Sequence, residues 1–400
     1  MSEIDYIVDT DIGGDFDDTL ALFVALCSKS KPLAITTTHI GAKEEKAPIA
    51  KLNVSELGHP DIPVYAGIGC SRTDSKEKFM EQNPLFPAEF GFPNPGKDDT
   101  TWYPKQAVAY RESYGADFEN MKIEKESAAE LIVKLAKKYS PDKKLTIIAL
   151  GPLHNIAEAL RIDPTIAENI KLVSMGGAYP KGYNWLISPE TTAAVIAKVE
   201  TTVITSDFIL KNGFIITPDE RDAIIKDIQS KFGKAAAEDW KSWHKGDYFK
   251  KSNTHLYDPV TLYLALHPEE ILSYDCMKVT FPCLDETGKL RKSEFAASGY
   301  RKSGLDDKII SLKESKESHI RFVSQVKLPS LIKNNIISNI RQCLTRKPAP
   351  RIESSKFTFG KKTALVGAAI LGATFFARRY FSSDKTPVSE FKPNPPQPRQ

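Results

Sequence analysis

Five carboxylates fall within ten residues near the N-terminus, in the stretch Asp9-Thr10-Asp11-Ile12-Gly13-Gly14-Asp15-Phe16-Asp17-Asp18. So many anions repel one another unless protons or a cation neutralise them. A hard divalent ion such as Ca2+ takes oxygen ligands in flexible number, and a carboxylate beside it can serve as a base toward a bound water. The bland alternative is a solvated helix N-terminus, where Asp is favoured by capping and by the helix dipole. A cluster of this density beside a glycine turn points to the first reading.

The flanking residues show what must position these groups. Tyr6-Ile7-Val8 is an apolar run of strand type, the two glycines make a tight turn, and Thr19 to Cys27 is an apolar helix. Side chains alternate along a strand, so Asp9 and Asp11 share one face, and a first-turn helical position brings Asp18 back toward them. Further along, the pattern predicts strands at Pro32–Thr38, Pro60–Gly67, Leu145–Leu150, Lys171–Met175 and Thr202–Ser206. Helices fall at Lys43–Leu57, from Glu126-Ser127 to Tyr139, up to Ile162 and over Glu190–Val199. Strands alternating with helices give an α/β fold with an open, mostly parallel central sheet flanked by helices. The stretch from Cys70 to Lys105, with Pro84, Pro87, Pro93 and Pro95, reads as a long loop of the kind that covers a site or is a simple insertion. Beyond Thr217 the chain is mainly helical and basic, and a β-rich segment closes the fold from Met277 to Val326.

Composition narrows the partners. With 41% hydrophobic residues in 400, the chain can bury the core of one large or two ordinary domains. A net charge of +4 announces no nucleic-acid partner. Cys27, Cys70, Cys276, Cys283 and Cys343 are odd in number and contain no CxxC pair, which fits a reduced, cytoplasmic setting better than a disulfide framework or a zinc site. The first five residues lack a basic n-region, so no secretory signal is expected.

Three further motifs accompany the acidic stretch: Gly151-Pro152-Leu153-His154-Asn155, Met175-Gly176-Gly177 and Tyr257-Asp258-Pro259. Together, in order and over residues 1–345, they resemble the inosine-uridine-preferring nucleoside hydrolases. The resemblance implies calcium-dependent hydrolysis of the N-glycosidic bond of a ribonucleoside or related N-riboside, giving ribose and free base. It further implies that Asp11 binds the ion and acts as base, that Asp18 and Asp258 are metal ligands, and that His154 adds a main-chain carbonyl. Asp17 would meet the ribose hydroxyls, with Asn184 and Trp185 also at the substrate. Homo-oligomers are expected by the same analogy. Cleavage develops oxocarbenium character on the ribose, which a carboxylate-rich pocket stabilises.

The sequence departs from that family in several places. The acidic motif is two residues longer than the commoner DPGxDD form, which leaves Asp15 unassigned. Ala42 stands where an Asn is usual, and Gly182-Tyr183-Asn184 where EFN is usual. Tyr257 takes the place of the His that serves as acid for the leaving base; with a reference pKa of about 10 against about 6.5, tyrosine is the poorer proton donor at neutral pH. His255 and His39 are possible substitutes, and ordinary surface or core roles explain them too. Trp185 is placed to stack on a base or pack in the core, and Trp240, Trp243 and His244 to cap the pocket or line an ordinary helix.

After a linker at 346–362 comes an apolar run, Thr363 to Ala377, bracketed by Lys361-Lys362 and Arg378-Arg379. Fifteen residues at about 1.5 Å each span roughly 22 Å, short of the ~30 Å hydrocarbon core unless the flanks snorkel. The segment 363–381 is read as a membrane anchor, with a packed helix as the alternative, and 382–400 as a disordered Pro-rich tail. Two other activities compete for the chain. A haloacid-dehalogenase-type phosphatase also opens on a strand and DxD, but expects a hydroxyl residue where Ile12-Gly13-Gly14 stand. A catalytically altered hydrolase fold acting as a tethered binding module is the non-enzymatic reading.

Overall fold

The computed structural model describes residues 4–38, 43–69, 77–78, 81, 105–176, 182–243, 252–291 and 306–346. Residues up to Pro348 form one compact unit. Its centre is a nine-stranded sheet in the order β10-β9-β11-β6-β5-β4-β1-β2-β3. The strands are β1 (Tyr6–Thr10), β2 (Ala34–Thr37), β3 (Val64–Ala66), β4 (Leu145–Ala149), β5 (Ile170–Met175), β6 (Glu200–Ile204), β9 (Ile271–Thr280), β10 (Ser311–Glu314) and β11 (Ile320–Val326). A short antiparallel pair, β7 (Ile215–Ile216) and β8 (Thr254–His255), stands apart.

Seven strands, from β3 to β11, run parallel; β9 and β10 add an antiparallel edge. The central parallel strands are buried on both faces, as Leu145–Ala149 is along its whole length. Along β1, Tyr6 and Val8 enter one core and Ile7 the other, following the two-residue period. The first core packs α1 (Asp17–Cys27), α2 (Lys43–Glu56), α3 (Lys105–Tyr114), α8 (Lys231–Trp243), α9 (Tyr257–Leu266) and α10 (Pro329–Thr345). The second packs α4 (Ala128–Ala136), α5 (His154–Ile162), the short α6 (Tyr183–Leu186) and α7 (Pro189–Ile196).

The strand order positions the site. From β1 the chain winds outward through β2 and β3, then returns to place β4 on the other side of β1. The connections leaving β1 and β4 therefore diverge, which makes the carboxyl ends of these two strands the switch point where ligands bind in open α/β sheets. The acidic stretch follows β1 and Gly151–Asn155 follows β4, so both motifs lead from this switch point.

Element boundaries differ from the sequence expectation where a local signal stops an element early. Ser127 caps α4 through a reciprocal box with Glu130, but the helix ends at Ala136, three residues short of Tyr139. The closing β segment starts at Ile271 rather than Met277, because β9 follows α9 after only one 3-10 turn. Among the described residues no helix is long and apolar enough to cross a membrane. The apolar segment 363–381, the tail 382–400 and all but the first residue of the 346–362 linker lie outside the described residues. So do His39, Ala42 and His244.

Candidate active site

Thr10 ends β1, and its hydroxyl works in two directions, donating to Asp18 Oδ1 and accepting from the Ile12 N–H at 3.2 Å. The turn then passes through Gly13 at φ +108°, a backbone region that disfavours any residue with a Cβ. Phe16 precedes α1 and is buried, stacked on Trp240 of α8 with ring centroids 5.4 Å apart and planes 14° off parallel. Trp240 is held in turn by its Nε1–H to Thr254 Oγ1 at 3.0 Å. Trp240 is thus a fully buried anchor for the acidic turn rather than a cap over a pocket. The anchored turn delivers Asp17 and Asp18 as the first two residues of α1.

Asp258 arrives from a second helix. It is the second residue of α9, which packs alongside α1, and the Asp258 main chain donates a hydrogen bond to the Asp17 carboxylate. Two helix N-termini, each favouring negative charge, thereby point at one place. Asp17, Asp18 and Asp258 are buried, and each offers a carboxylate oxygen within 4.8 Å of the others.

The electrostatics follow from that crowding. Burial, and then the charges of Asp15 and Asp11, push Asp17 well above the ordinary carboxylate range. Asp18 is raised by burial and by Asp11 and Asp17, against the pull of the Thr10 hydroxyl and Lys46. Asp258 is raised by burial and then by Asp17, Asp18, Asp11 and Asp15. Asp11, partly exposed beside the trio, is raised by burial and held down by Lys46. Asp15 is exposed, which settles its place outside the buried trio.

Lys46 is a buried cation that nothing in Lys43-Glu44-Glu45-Lys46, which reads as a solvated charged face, singles out. Its ammonium donates to the main-chain carbonyls of Asp11 and, at 3.0 Å, Ile12. It ties α2 to the acidic turn and sets one positive charge against the cluster, although burial lowers its pKa.

A second buried node lies beneath the site. Asp9 Oδ1 accepts from Thr36 Oγ1 at 2.5 Å and from Asn155 Nδ2 at 2.7 Å, while Asp9 Oδ2 has no hydrogen-bond partner among the described residues. Asn155 also donates to Thr37 O at 3.0 Å and accepts from the Ile68 N–H at 2.8 Å. The node joins β1, β2, the loop after β3 and the start of α5, which fixes the Gly151–Asn155 motif against the acidic turn. Gly151 packs so closely there that a Cβ would stand 2.8 Å from Asp11 Oδ1. Burial lifts the Asp9 pKa to about 7, against the two hydrogen bonds it accepts.

The remaining predicted residues divide. His154 is buried at the first position of α5, after β4. Tyr257 opens α9, stacked on His255 at 5.1 Å between centroids, and its hydroxyl is pushed up to about 12 by burial and by the nearby Asp17 and Asp15. The Asn184 amide donates to Leu150 O and, at 3.2 Å, to Met175 O, so its donor side stitches the loops after β4 and β5 together. Trp185 is fully covered: its Nε1–H meets Ser174 Oγ at 2.9 Å, its ring lies edge-on to Phe322, and Gly176 passes directly over it. It is a core residue with no face left for a nucleobase.

Comparison with known proteins agrees with this architecture. The family profile described as inosine-uridine preferring nucleoside hydrolase matches residues 6–332. The chain is 28% identical over 282 residues to "Probable uridine nucleosidase 2" of Arabidopsis thaliana, covering 66% of this chain and 77% of the relative. It is also 28% identical over 282 residues to the pyrimidine-specific ribonucleoside hydrolase RihA of Shewanella woodyi, covering 66% and 79%. Among solved structures, the plant nucleoside hydrolase PpNRh1 superposes with a TM-score of 0.56 at 21% identity, over 86% of this chain and 100% of that one. With the profile spanning nearly the whole described body, the chain belongs to the inosine-uridine preferring nucleoside hydrolases and is an N-ribohydrolase, an enzyme that hydrolyses ribonucleosides.

Proposed function

We propose that the chain hydrolyses the N-glycosidic bond of a ribonucleoside in a calcium-dependent reaction at the acidic cluster, releasing ribose and free base. The observation that carries this reading is the buried trio Asp17, Asp18 and Asp258, three carboxylates with oxygens within 4.8 Å of one another. An oxygen-only donor set of this charge fits a hard cation. The raised pKa values of all three express the cost of burying carboxylates side by side, a cost a cation offsets.

Asp18 and Asp258 would hold the ion, with Asp11 and the His154 carbonyl completing its ligands, and Asp17 would meet the ribose hydroxyls. When bound, calcium supplies Lewis-acid polarisation of water and sugar oxygens. The residues of the chain do the rest. Asp11, beside the trio and steadied by Lys46 on its own carbonyl, takes the proton of the attacking water. The carboxylates stabilise the positive charge that grows on the ribose ring as the bond to the base breaks. Tyr257, with its hydroxyl pushed up to about 12, stays protonated at neutral pH and donates a hydrogen bond to the leaving base, which departs as its anion and takes its proton from solvent. Asn184 acts by holding the loops after β4 and β5 in place. We read the segment 363–381 as a tether that sets this domain beside a membrane, on the evidence of its apolar run and basic flanks alone.

The test is ribose release from a panel opening with uridine and inosine, with and without chelator and with calcium restored. Release that falls on chelation and returns with calcium is expected, with Asp11→Ala lowering turnover by at least about a hundredfold. Calcium bound stoichiometrically with no ribose from any nucleoside would favour the binding-module reading instead.

A further inference from the structure

Cys27 closes α1 and Cys343 lies near the end of α10, 316 residues later in the chain, yet their sulfurs are 2.7 Å apart. This is within a fraction of an ångström of the roughly 2.05 Å of a disulfide. Both are free thiols. Each sulfur also approaches a carbonyl of the opposite helix, Cys27 that of Asn339 and Cys343 that of Phe23, both at 3.5 Å, so the two helices frame the pair from both sides.

The surroundings separate the roles of the two thiols. Cys27 is partly exposed, and Cys343 is 3% exposed. The contact with Cys343, and to a lesser degree the charges of Lys31 and Arg346, hold the Cys27 thiol below the ordinary range despite burial. Cys343 is raised by the contact with Cys27 and by burial. A partly exposed thiol among cations next to a buried partner is the arrangement of an attacking and a resolving cysteine. Cys283 differs: buried, and pushed up to about 12, it has neither access nor thiolate character.

We propose that Cys27 and Cys343 form an oxidisable dithiol site whose co-substrate is a low-molecular-weight disulfide, and that it closes to a disulfide joining α1 to α10. The thiolate of Cys27 attacks one sulfur of the small disulfide, forming a mixed disulfide and expelling one small thiolate. Cys343 gives up its proton and attacks Cys27 Sγ, expelling the second. The cysteine pair loses two electrons and two protons, and the small disulfide gains both to become two thiols. Reduced thiol in excess drives the same steps backward, so the site is reversible and compatible with a reducing compartment. Closure ties the two ends of a loop of more than three hundred residues, which stabilises the folded state by restricting the unfolded one.

The full-length protein is equilibrated with graded ratios of oxidised to reduced glutathione, quenched with an alkylating agent and digested. Expected is a linked peptide pair containing Cys27 and Cys343, lighter by two hydrogens than the two thiol peptides, with a melting temperature higher by about 5 °C in the oxidised form. Cys27→Ala and Cys343→Ala each abolish both. Full alkylation of both thiols at every ratio, a persistent glutathione adduct on Cys27 with Cys343 still alkylated, or a linkage through another cysteine would each overturn the proposal. None of these readouts depends on nucleoside hydrolysis.

Discussion

Replacing Asp9 by Asn isolates the charge of the node beneath the active site. Asp9 Oδ1 accepts from Thr36 and Asn155, and Oδ2 has no partner among the described residues. Asn retains the accepting oxygen and removes only the ionisable group. The native pKa is about 7 against an unfolded value near 3.8, with burial the principal cause. Between those values the folded chain holds a proton that the unfolded chain has released, so stability falls as pH rises across the window and the loss is complete above about pH 7. Three pH units correspond to about 4 kcal/mol over the full range, and the part between pH 5 and 7 to roughly 3 kcal/mol. Wild type and Asp9→Asn are unfolded in urea at pH 5, 6, 7 and 8, both in chelator so that the neighbouring carboxylates behave alike. The variant should gain roughly 3 kcal/mol relative to wild type from pH 5 to 8. Parallel stability profiles would refute the assignment of a buried, strained charge to Asp9.

Other substitutions test the neighbouring contacts. Gly151→Ala drives a Cβ toward the Asp11 carboxylate, and ribose release should fall at least about tenfold with a stability loss under about 2 kcal/mol, read by urea unfolding. Asn155→Ala deletes two buried hydrogen bonds, to Asp9 and Thr37, and a half-buried one from Ile68, and should cost about 3 kcal/mol in the same assay. Trp185→Phe removes the bond to Ser174 and should destabilise by about 1–2 kcal/mol while leaving KM for the nucleoside unchanged, whereas a raised KM would return Trp185 to the substrate.

Much of this site is legible in the sequence because its parts are local. An apolar triplet, a glycine turn and an apolar run are enough to place strand, turn and helix around the five aspartates. The Ser127–Glu130 box announces the start of α4 in the same way. What is hidden depends on register and distance along the chain. Asn155 meets Asp9 across 146 residues because β1 and β4 pair with Asp9 opposite Ala149, and nothing near either residue signals that alignment. Lys46 looks like part of a solvated lysine-glutamate face, and only the approach of α2 to the acidic turn buries it. Trp185 reads two ways in the sequence because Tyr183–Leu186 forms one short helical turn whose inward side is set by the close passage of Gly176.

The contact between α1 and α10 also bears on how the chain is made. Leu20, Phe23 and Val24 belong to the same apolar core as Ile336, Ile340 and Leu344, while β1 takes its place at mid-sheet between β2 and β4. During synthesis at about 5–20 residues per second, that face of α1 waits on the order of tens of seconds for its last covering helix to leave the ribosome. The core on this face is therefore completed only once the last helix is made, a non-local closure that the strand order and the C-terminal helix impose on folding.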